Sequence, residues 1–141
     1  MQHLTILGST GSVGVSTLDV VAGSPQRFTV TALAARSRDD VLFEQCRRFA
    51  PKHAVLLDPA AAERLRKKLL AAGLPTTVSC GTSELERIAA LPEVTTVVAA
   101  IVGIAGLRPT LAAARSGKKI LLANKESLVT AGALFMSAVR D

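Results

Sequence analysis

Three glycines near the amino terminus have the spacing of a phosphate-binding turn. Gly8, Gly11 and Gly14 lie between a short apolar run, residues 4–7, and a helical pattern over 12–22. In a dinucleotide-binding unit the first glycine permits the tight turn, the second lets backbone approach the phosphates, and the third lets helix and strand pack closely. The N-terminus of the helix adds free N–H groups and the positive end of the helix dipole, both of which attract an anion. The pattern therefore predicts a site for a dinucleotide pyrophosphate.

The turn is weak evidence by itself, because any strand-to-helix connection can use glycines. Its spacing is Gly-x-x-Gly-x-x-Gly, a variant of the more usual Gly-x-Gly-x-x-Gly. Ser9, Thr10 and Ser12 add hydroxyl donors, which favours anion binding. No Gly-Lys-Ser or Gly-Lys-Thr follows, so a P-loop is disfavoured. On these residues alone, a turn without a ligand remains the alternative.

A second polar group follows the second predicted strand. Arg36, Ser37 and Arg38 come directly after it, whereas Asp39 and Asp40 come later and are expected to begin a helix. No carboxylate therefore stands at the strand end to bind a ribose 2′-hydroxyl. Two guanidinium groups and a hydroxyl suit a 2′-phosphate instead. The group favours NADP over NAD, with two solvated arginines in a loop as the alternative.

Polar residues also follow the sixth predicted strand. Asn124, Lys125 and Glu126 interrupt an apolar run abruptly. A lysine at this place can hold a substrate phosphate or hydroxyl, and the amide and carboxylate can fix a cofactor's ribose or amide. Asn124 can equally cap the next helix, and the two roles are compatible. After the fifth strand, Gly103 and Gly106 either admit a nicotinamide-ribose or only shape the turn.

The elements that must position these groups alternate along the chain. Six βα units predict an α/β fold, a Rossmann-like doubly wound and mostly parallel sheet, in one domain over 1–141. The ligand is expected at the carboxyl ends of the strands, at the switch in strand order near the first and fourth strands. Strands are predicted at 3–7, 28–34, 53–57, 76–80, 95–101 and 119–123, and helices at 12–22, 39–49, 59–72, 82–90, 106–116 and 126–138.

The amino-acid composition limits the classes of partner that this chain is expected to bind. The chain has four Phe and neither Tyr nor Trp, so it lacks stacking platforms for single-stranded nucleic acid. Its net charge of +6 is attributed mainly to solvated helix faces, and nucleic acid is not expected as a partner. The longest apolar stretch, 97–107, is too short to span a bilayer. No secretory signal precedes the first strand, so we expect a cytoplasmic protein without a membrane partner.

Metal chemistry has no sequence support within the chain. Cys46 and Cys80 are isolated, and His3 and His53 are far apart in sequence. Both cysteines are expected to be small buried hydrophobic residues. Both histidines are expected at packing or surface positions. No metal ligand is predicted.

Longer motifs closely resemble the 1-deoxy-D-xylulose 5-phosphate reductoisomerase family. The match runs in order through residues 4–14, 16–20, 99–103, 106–107, 109–111 and 121–128, and Leu-Ala-Asn-Lys-Glu-Ser-Leu is much more specific than the glycine turn. The resemblance implies an oxidoreductase of non-mevalonate isoprenoid biosynthesis that depends on NADPH and a divalent metal, Mg²⁺ or Mn²⁺. Such an enzyme rearranges its sugar phosphate and reduces the resulting aldehyde to 2-C-methyl-D-erythritol 4-phosphate.

The resemblance also implies roles for individual residues. Lys125 would contact the sugar-phosphate substrate. The family commonly has Gly-Lys-Asn where this chain has 36–38, so the departure keeps positive charge but changes the individual contacts. NADPH would be contacted by Thr10, Gly11, Ser12, Val13, Asn124 and Glu126; Gly8 is assigned to the same site through its place in the glycine turn.

The family's metal ligands, mobile flap and C-terminal helical domain lie beyond position 141. We therefore expect this chain to be the NADPH-binding part, with weak NADPH binding, no catalytic residue and no activity alone, and a homodimer for the full-length family. A short-chain dehydrogenase is excluded because its Tyr-x-x-x-Lys pair needs a tyrosine. A stand-alone NAD(P)-binding sensor module remains the alternative.

Overall fold

Six parallel strands form one sheet in the order β4-β3-β2-β1-β5-β6 in this computed structural model, which describes residues 1–101 and 103–122. The predicted fold class, a doubly wound and mostly parallel sheet, is confirmed, and every strand pair in the described part is parallel. The strands are β1 (Gln2–Leu7), β2 (Phe28–Ala35), β3 (His53–Leu56), β4 (Thr77–Cys80), β5 (Thr96–Ala99) and β6 (Lys119–Leu122).

Five α-helices connect these strands in the described residues. A short 3₁₀ turn, Ile104–Gly106, precedes the last of them, and the predicted helix over 126–138 lies outside the described residues. The predicted bounds hold to within two residues. The helices are α1 (Ser12–Ala22), α2 (Asp39–Phe49), α3 (Pro59–Ala71), α4 (Thr82–Ala89) and α5 (Leu107–Arg115).

The sheet is covered on both faces, because neighbouring residues of a strand point to opposite sides. On β1, Ile6 belongs to one buried cluster and Leu7 to the other. The first cluster includes Leu18, Leu42 and Leu65 of α1, α2 and α3; the second includes Leu85 and Ile88 of α4 and Ala113 of α5. The two layers hold the carboxyl ends of the strands in a fixed arrangement.

The switch in strand order lies between β1 and β5, so the prediction of the first and fourth strands was wrong about the fourth. β2, β3 and β4 are added outward from one side of β1, and the chain then returns to pair β5 with the other side. β4 is therefore an edge strand. Connections from β1 and β5 leave the sheet in opposite senses, which opens a crevice above their carboxyl ends.

Candidate dinucleotide site

The glycine turn is built by close packing of backbone. Gly8 has a φ of 86°, and a Cβ there would lie 2.6 Å from the carbonyl oxygen of Ala100, just after β5. A Cβ on Gly14 would lie 2.3 Å from the Gly8 oxygen. Both glycines therefore have the structural roles expected from the spacing. At Gly11 the nearest atom is 3.7 Å away, which leaves its outer side open.

The first turn of α1 presents unused donors beside this opening. Val15 N–H donates to the Gly11 oxygen at 2.9 Å and begins the helical hydrogen bonds. The N–H groups of Ser12, Val13 and Gly14 precede it and have no acceptor within the described part of the chain. With the helix dipole, they are placed to attract an anion without any charged side chain.

Ser9 lies behind the turn and does not contribute the hydroxyl donor predicted for it. Its N–H and that of Gly8 both donate to the Ala34 oxygen at 2.9 Å, which turns the side chain inward. The hydroxyl is fully buried and has no partner in the described residues. Gln45 of α2 donates from Nε2 to the Ser9 oxygen at 2.8 Å and so supports the turn from behind. Sequence reasoning missed Gln45, because its position in an amphipathic helix carries no signal of this contact.

The loop after β2 is tied to the next strand by its backbone. The Arg36 oxygen accepts hydrogen bonds from Leu57 N–H at 3.1 Å and Asp58 N–H at 2.9 Å. Asp39 N–H, at the start of α2, donates to the Ser37 oxygen at 2.9 Å. The loop that carries residues 36–38 is therefore held at both ends.

The two arginines of this loop differ in their surroundings. Arg36 lines a cleft and forms no ion pair within residues 1–101 and 103–122. Arg38 is exposed, and its Nε lies 3.4 Å from Oδ1 of Asp40. Arg36 is therefore the cation available to a ligand, whereas Arg38 has the partner expected of a solvated loop arginine.

A cleft of about 330 Å³ joins the glycine turn to the arginine loop. Four of the predicted site residues line it: Gly8, Thr10, Gly11 and Arg36. Ser12 and Val13 lie at the adjoining start of α1, and Ser37 and Arg38 are not part of the cleft wall. Asn124, Lys125 and Glu126 lie outside the described residues. The cleft is lined by Gly8, Thr10, Gly11, Ala35, Arg36, Leu57, Ala100, Ile101 and Ala105.

The connection after β5 lies beside the cleft and depends on a glycine for its turn. Ala100 and Ala105 form part of the cleft wall, where small side chains leave room for a ligand. A Cβ on Gly106 would lie 2.9 Å from the Ile101 oxygen, so this glycine is needed for the turn itself. Sequence reasoning missed the contribution of Leu57, which reaches the cleft only because β3 lies beside β2.

The histidines and cysteines lie away from the cleft lining. His3 and His53 are near the amino ends of β1 and β3, at the opposite edge of the sheet. Cys46 is buried as predicted, and burial raises the pKa of its thiol to about 12. Cys80 is exposed at the end of edge strand β4, so the prediction of a buried residue was wrong there. The described residues contain no group of three or more His, Cys, Asp or Glu that could hold a metal ion.

Comparison with known proteins identifies the family. The family model of 1-deoxy-D-xylulose 5-phosphate reductoisomerase matches residues 4–132. The chain belongs to this family. It is 58% identical over 141 residues to the reductoisomerase of Nitrosospira multiformis and 60% identical over 140 residues to that of Nitrosomonas europaea. These matches cover 100% and 99% of this chain but 36% and 34% of the relatives, so the chain spans about a third of their length.

Solved reductoisomerase structures have the same fold. One, a complex with NADPH, fosmidomycin and magnesium, is 46% identical, with a TM-score of 0.95 over 99% of this chain and 34% of that one. The Zymomonas mobilis enzyme in complex with NADPH is 42% identical, with a TM-score of 0.92 over 99% of this chain and 36% of that one. Across the part of the chain that the structure describes, no helix is long and apolar enough to cross a membrane.

Proposed function

We propose that residues 1–141 form the NADPH-binding domain of a 1-deoxy-D-xylulose 5-phosphate reductoisomerase. The observation that carries this proposal is the single cleft that joins a glycine turn with open backbone donors to an arginine without an ion pair in the described residues. Binding of NADPH needs both a site for the pyrophosphate and a cation for the 2′-phosphate. Relatives of the same fold in complex with NADPH support it.

The residues of the cleft fit this cofactor. The amides of Ser12 and Val13 would bind the pyrophosphate, with Gly8 and Gly11 giving it access and Thr10 adding a hydroxyl. The loop of Arg36, Ser37 and Arg38 would bind the 2′-phosphate, with Arg36 as the main contact because it lines the cleft. In the whole enzyme, bound NADPH would supply the hydride for reduction of the aldehyde.

The remaining roles rest on the family resemblance. Asn124 and Glu126 would contact NADPH, and Lys125 would contact the sugar phosphate. The described residues do not fit a divalent metal, so we assign no metal-dependent step to them. Magnesium is present in a related structure, and Mg²⁺ or Mn²⁺ would be held by other residues. We also expect a homodimer at full length and a cytoplasmic location.

Calorimetric titration of the full chain with NADPH, and with NADH in parallel, tests the proposal. Saturable binding that favours NADPH is expected, without turnover of 1-deoxy-D-xylulose 5-phosphate by this chain alone, because one lysine cannot polarise the substrate without the metal. Absence of NADPH binding by a chain that circular dichroism shows to be folded would contradict the proposal. Each relative named above is a reductoisomerase, and nothing in the comparisons favours a stand-alone sensor module.

A further inference from the structure

The segment that would bind the 2′-phosphate carries no net charge of its own. Residues 36–40 contain two arginines and two aspartates, so their formal charges cancel. A neutral segment attracts a phosphate group weakly. Compensation of one of the two carboxylates by charges from elsewhere in the fold would therefore strengthen a preference for NADPH over NADH.

Asp39 is compensated by two cations of α3. The Nε and Nη2 atoms of Arg64 each lie 3.1 Å from Oδ1 of Asp39, and Nζ of Lys68 lies 2.8 Å from Oδ2. Arg64 and Lys68 are four residues apart and so lie on one side of the helix. The Asp39 side chain is only 10% exposed, in contrast to 66% for Asp40.

Both carboxylate oxygens of Asp39 are thus engaged by α3. The hydrogen bond from Lys68 is the main reason why the pKa of Asp39 lies below its ordinary value of 3.8, and Arg64 lowers it further against the effect of burial. Asp39 remains ionised at neutral pH, but its charge is directed to α3 and it is absent from the cleft lining. Its N–H meanwhile holds the Ser37 oxygen.

We propose that Arg64 and Lys68 determine the preference for NADPH by neutralising Asp39. They are positioning residues: they act through Asp39 and do not line the cleft. With them, the formal charge around the loop rises from zero to +2, and Asp39 cannot accept a hydrogen bond from a ribose 2′-hydroxyl. Arg36 then acts as an uncompensated cation toward the 2′-phosphate. This inference rests on the proposed NADPH site.

The test is the ratio of NADPH to NADH affinity in the full chain carrying Arg64→Met and Lys68→Met. This variant leaves Asp39 charged and released beside the loop. We expect the ratio to fall by about tenfold, because the released Asp39 carboxylate weakens NADPH binding, while NADH affinity stays the same or rises. The matched control is Arg66→Met with Lys67→Met, which removes the same charge from the same helix, where neither residue contacts Asp39. The control should keep the wild-type ratio.

A rescue variant separates charge compensation from a purely structural role. Adding Asp39→Asn to the Arg64→Met, Lys68→Met chain removes the released charge, so the ratio should return to near the wild-type value. If the two ion pairs only joined α2 to α3, asparagine would not restore the ratio. If the double variant fails to fold, Asp39→Asn alone tests the same point. Charge compensation predicts that this single variant binds NADPH as tightly as the wild-type chain or more tightly, whereas a structural role predicts weaker binding.

The outcomes distinguish this inference from the proposed function. A folded wild-type chain that binds neither cofactor would overturn the NADPH site itself. A wild-type chain that prefers NADPH, together with a double variant that keeps the wild-type ratio, would overturn only the role of Arg64 and Lys68. Failure of Asp39→Asn to rescue the double variant would do the same.

Discussion

The turn after β1 and the loop after β2 line the same cleft but suit a phosphate in different ways. The turn offers backbone N–H groups and excludes side chains: Gly8 and Gly14 are packed so closely that a Cβ on either would overlap backbone atoms. The loop offers side-chain charge, and its backbone is held by ordinary hydrogen bonds to the two residues that follow β3 and to α2. One half of the site depends on shape, and the other depends on charge.

This difference bears on how freely the residues of each half can be replaced. Backbone packing leaves no substitute for glycine, so the turn keeps its spacing. Charge can be supplied by several residues at several positions, because electrostatic attraction is not strongly directional. Arg36-Ser37-Arg38 keeps positive charge at this place, which is what the proposed 2′-phosphate contact needs.

The largest effect is expected for Gly14→Ala. The new Cβ would meet Gly8 O at 2.3 Å and Ser9 Cα at 2.5 Å, so α1 must move away from β1. We expect a loss on the order of 3 kcal/mol in the free energy of unfolding. Neither NADPH nor NADH should then show saturable binding, because the displaced turn is the proposed pyrophosphate site of both cofactors. Urea denaturation and calorimetric titration measure the two effects.

Gly73→Ala is the control for this variant. Gly73, unlike Gly14, has a positive φ, 70°, and no atom lies within 4 Å of a Cβ placed there. Its substitution should cost only about 1 kcal/mol, from backbone strain, and should leave cofactor binding intact. Equal losses for the two alanine variants would show that the packing of the turn is not what makes Gly14 necessary.

Arg36→Ala is expected to have the next largest effect, on the loop alone. Loss of a charge-assisted contact to the 2′-phosphate should weaken NADPH binding by roughly ten- to a hundredfold and leave NADH binding nearly unchanged. Arg38→Ala should have a smaller effect, because Arg38 pairs with Asp40. Dissociation constants for both cofactors measure this. An equal loss of NADPH and NADH affinity would refute the role of the loop.

Gln45→Leu should weaken the turn moderately. It removes the hydrogen bond to the Ser9 oxygen, which destabilises the fold. It also removes a buried Oε1 that has no partner in the described residues, which offsets part of that loss. The net cost should be about 1 kcal/mol in the free energy of unfolding. Because the pyrophosphate is common to both cofactors, NADPH and NADH affinities should fall by the same small factor. A change in the ratio of NADPH to NADH affinity would contradict this and would show that Gln45 acts on the loop of residues 36–38.

The smallest effect concerns pH. The pKa of Asp39 is lowered in the folded chain, mainly by Lys68, so its ion pairs stabilise the fold above the ordinary value of 3.8, and this stability is lost as pH falls through the folded-state pKa. Asp39→Asn should therefore flatten the pH dependence of unfolding in that acidic range. Urea denaturation of both chains at several pH values tests this, and identical slopes would contradict it.

Local patterns predicted the elements well, because hydrophobic periodicity and breakers act over a few residues. α1 and α2 begin and end at the predicted residues. β5 ends at Ala99 and not at 101; the Ala100 N–H still donates to the Leu7 oxygen, and the Ala100 oxygen lies against Gly8. That contact joins positions far apart in sequence, and no local pattern contains it.

The sequence by itself determined the fold class, the glycine turn and the family, since each depends on residue types at short spacings. Only the tertiary structure decided that β5 pairs with β1, that Ser9 faces inward, and that Arg36 and not Arg38 lines the cleft. It also decided that Asp39 is bound by Arg64 and Lys68. These depend on how α2 lies against α3 and which strands are neighbours, which is set by packing of the whole sheet.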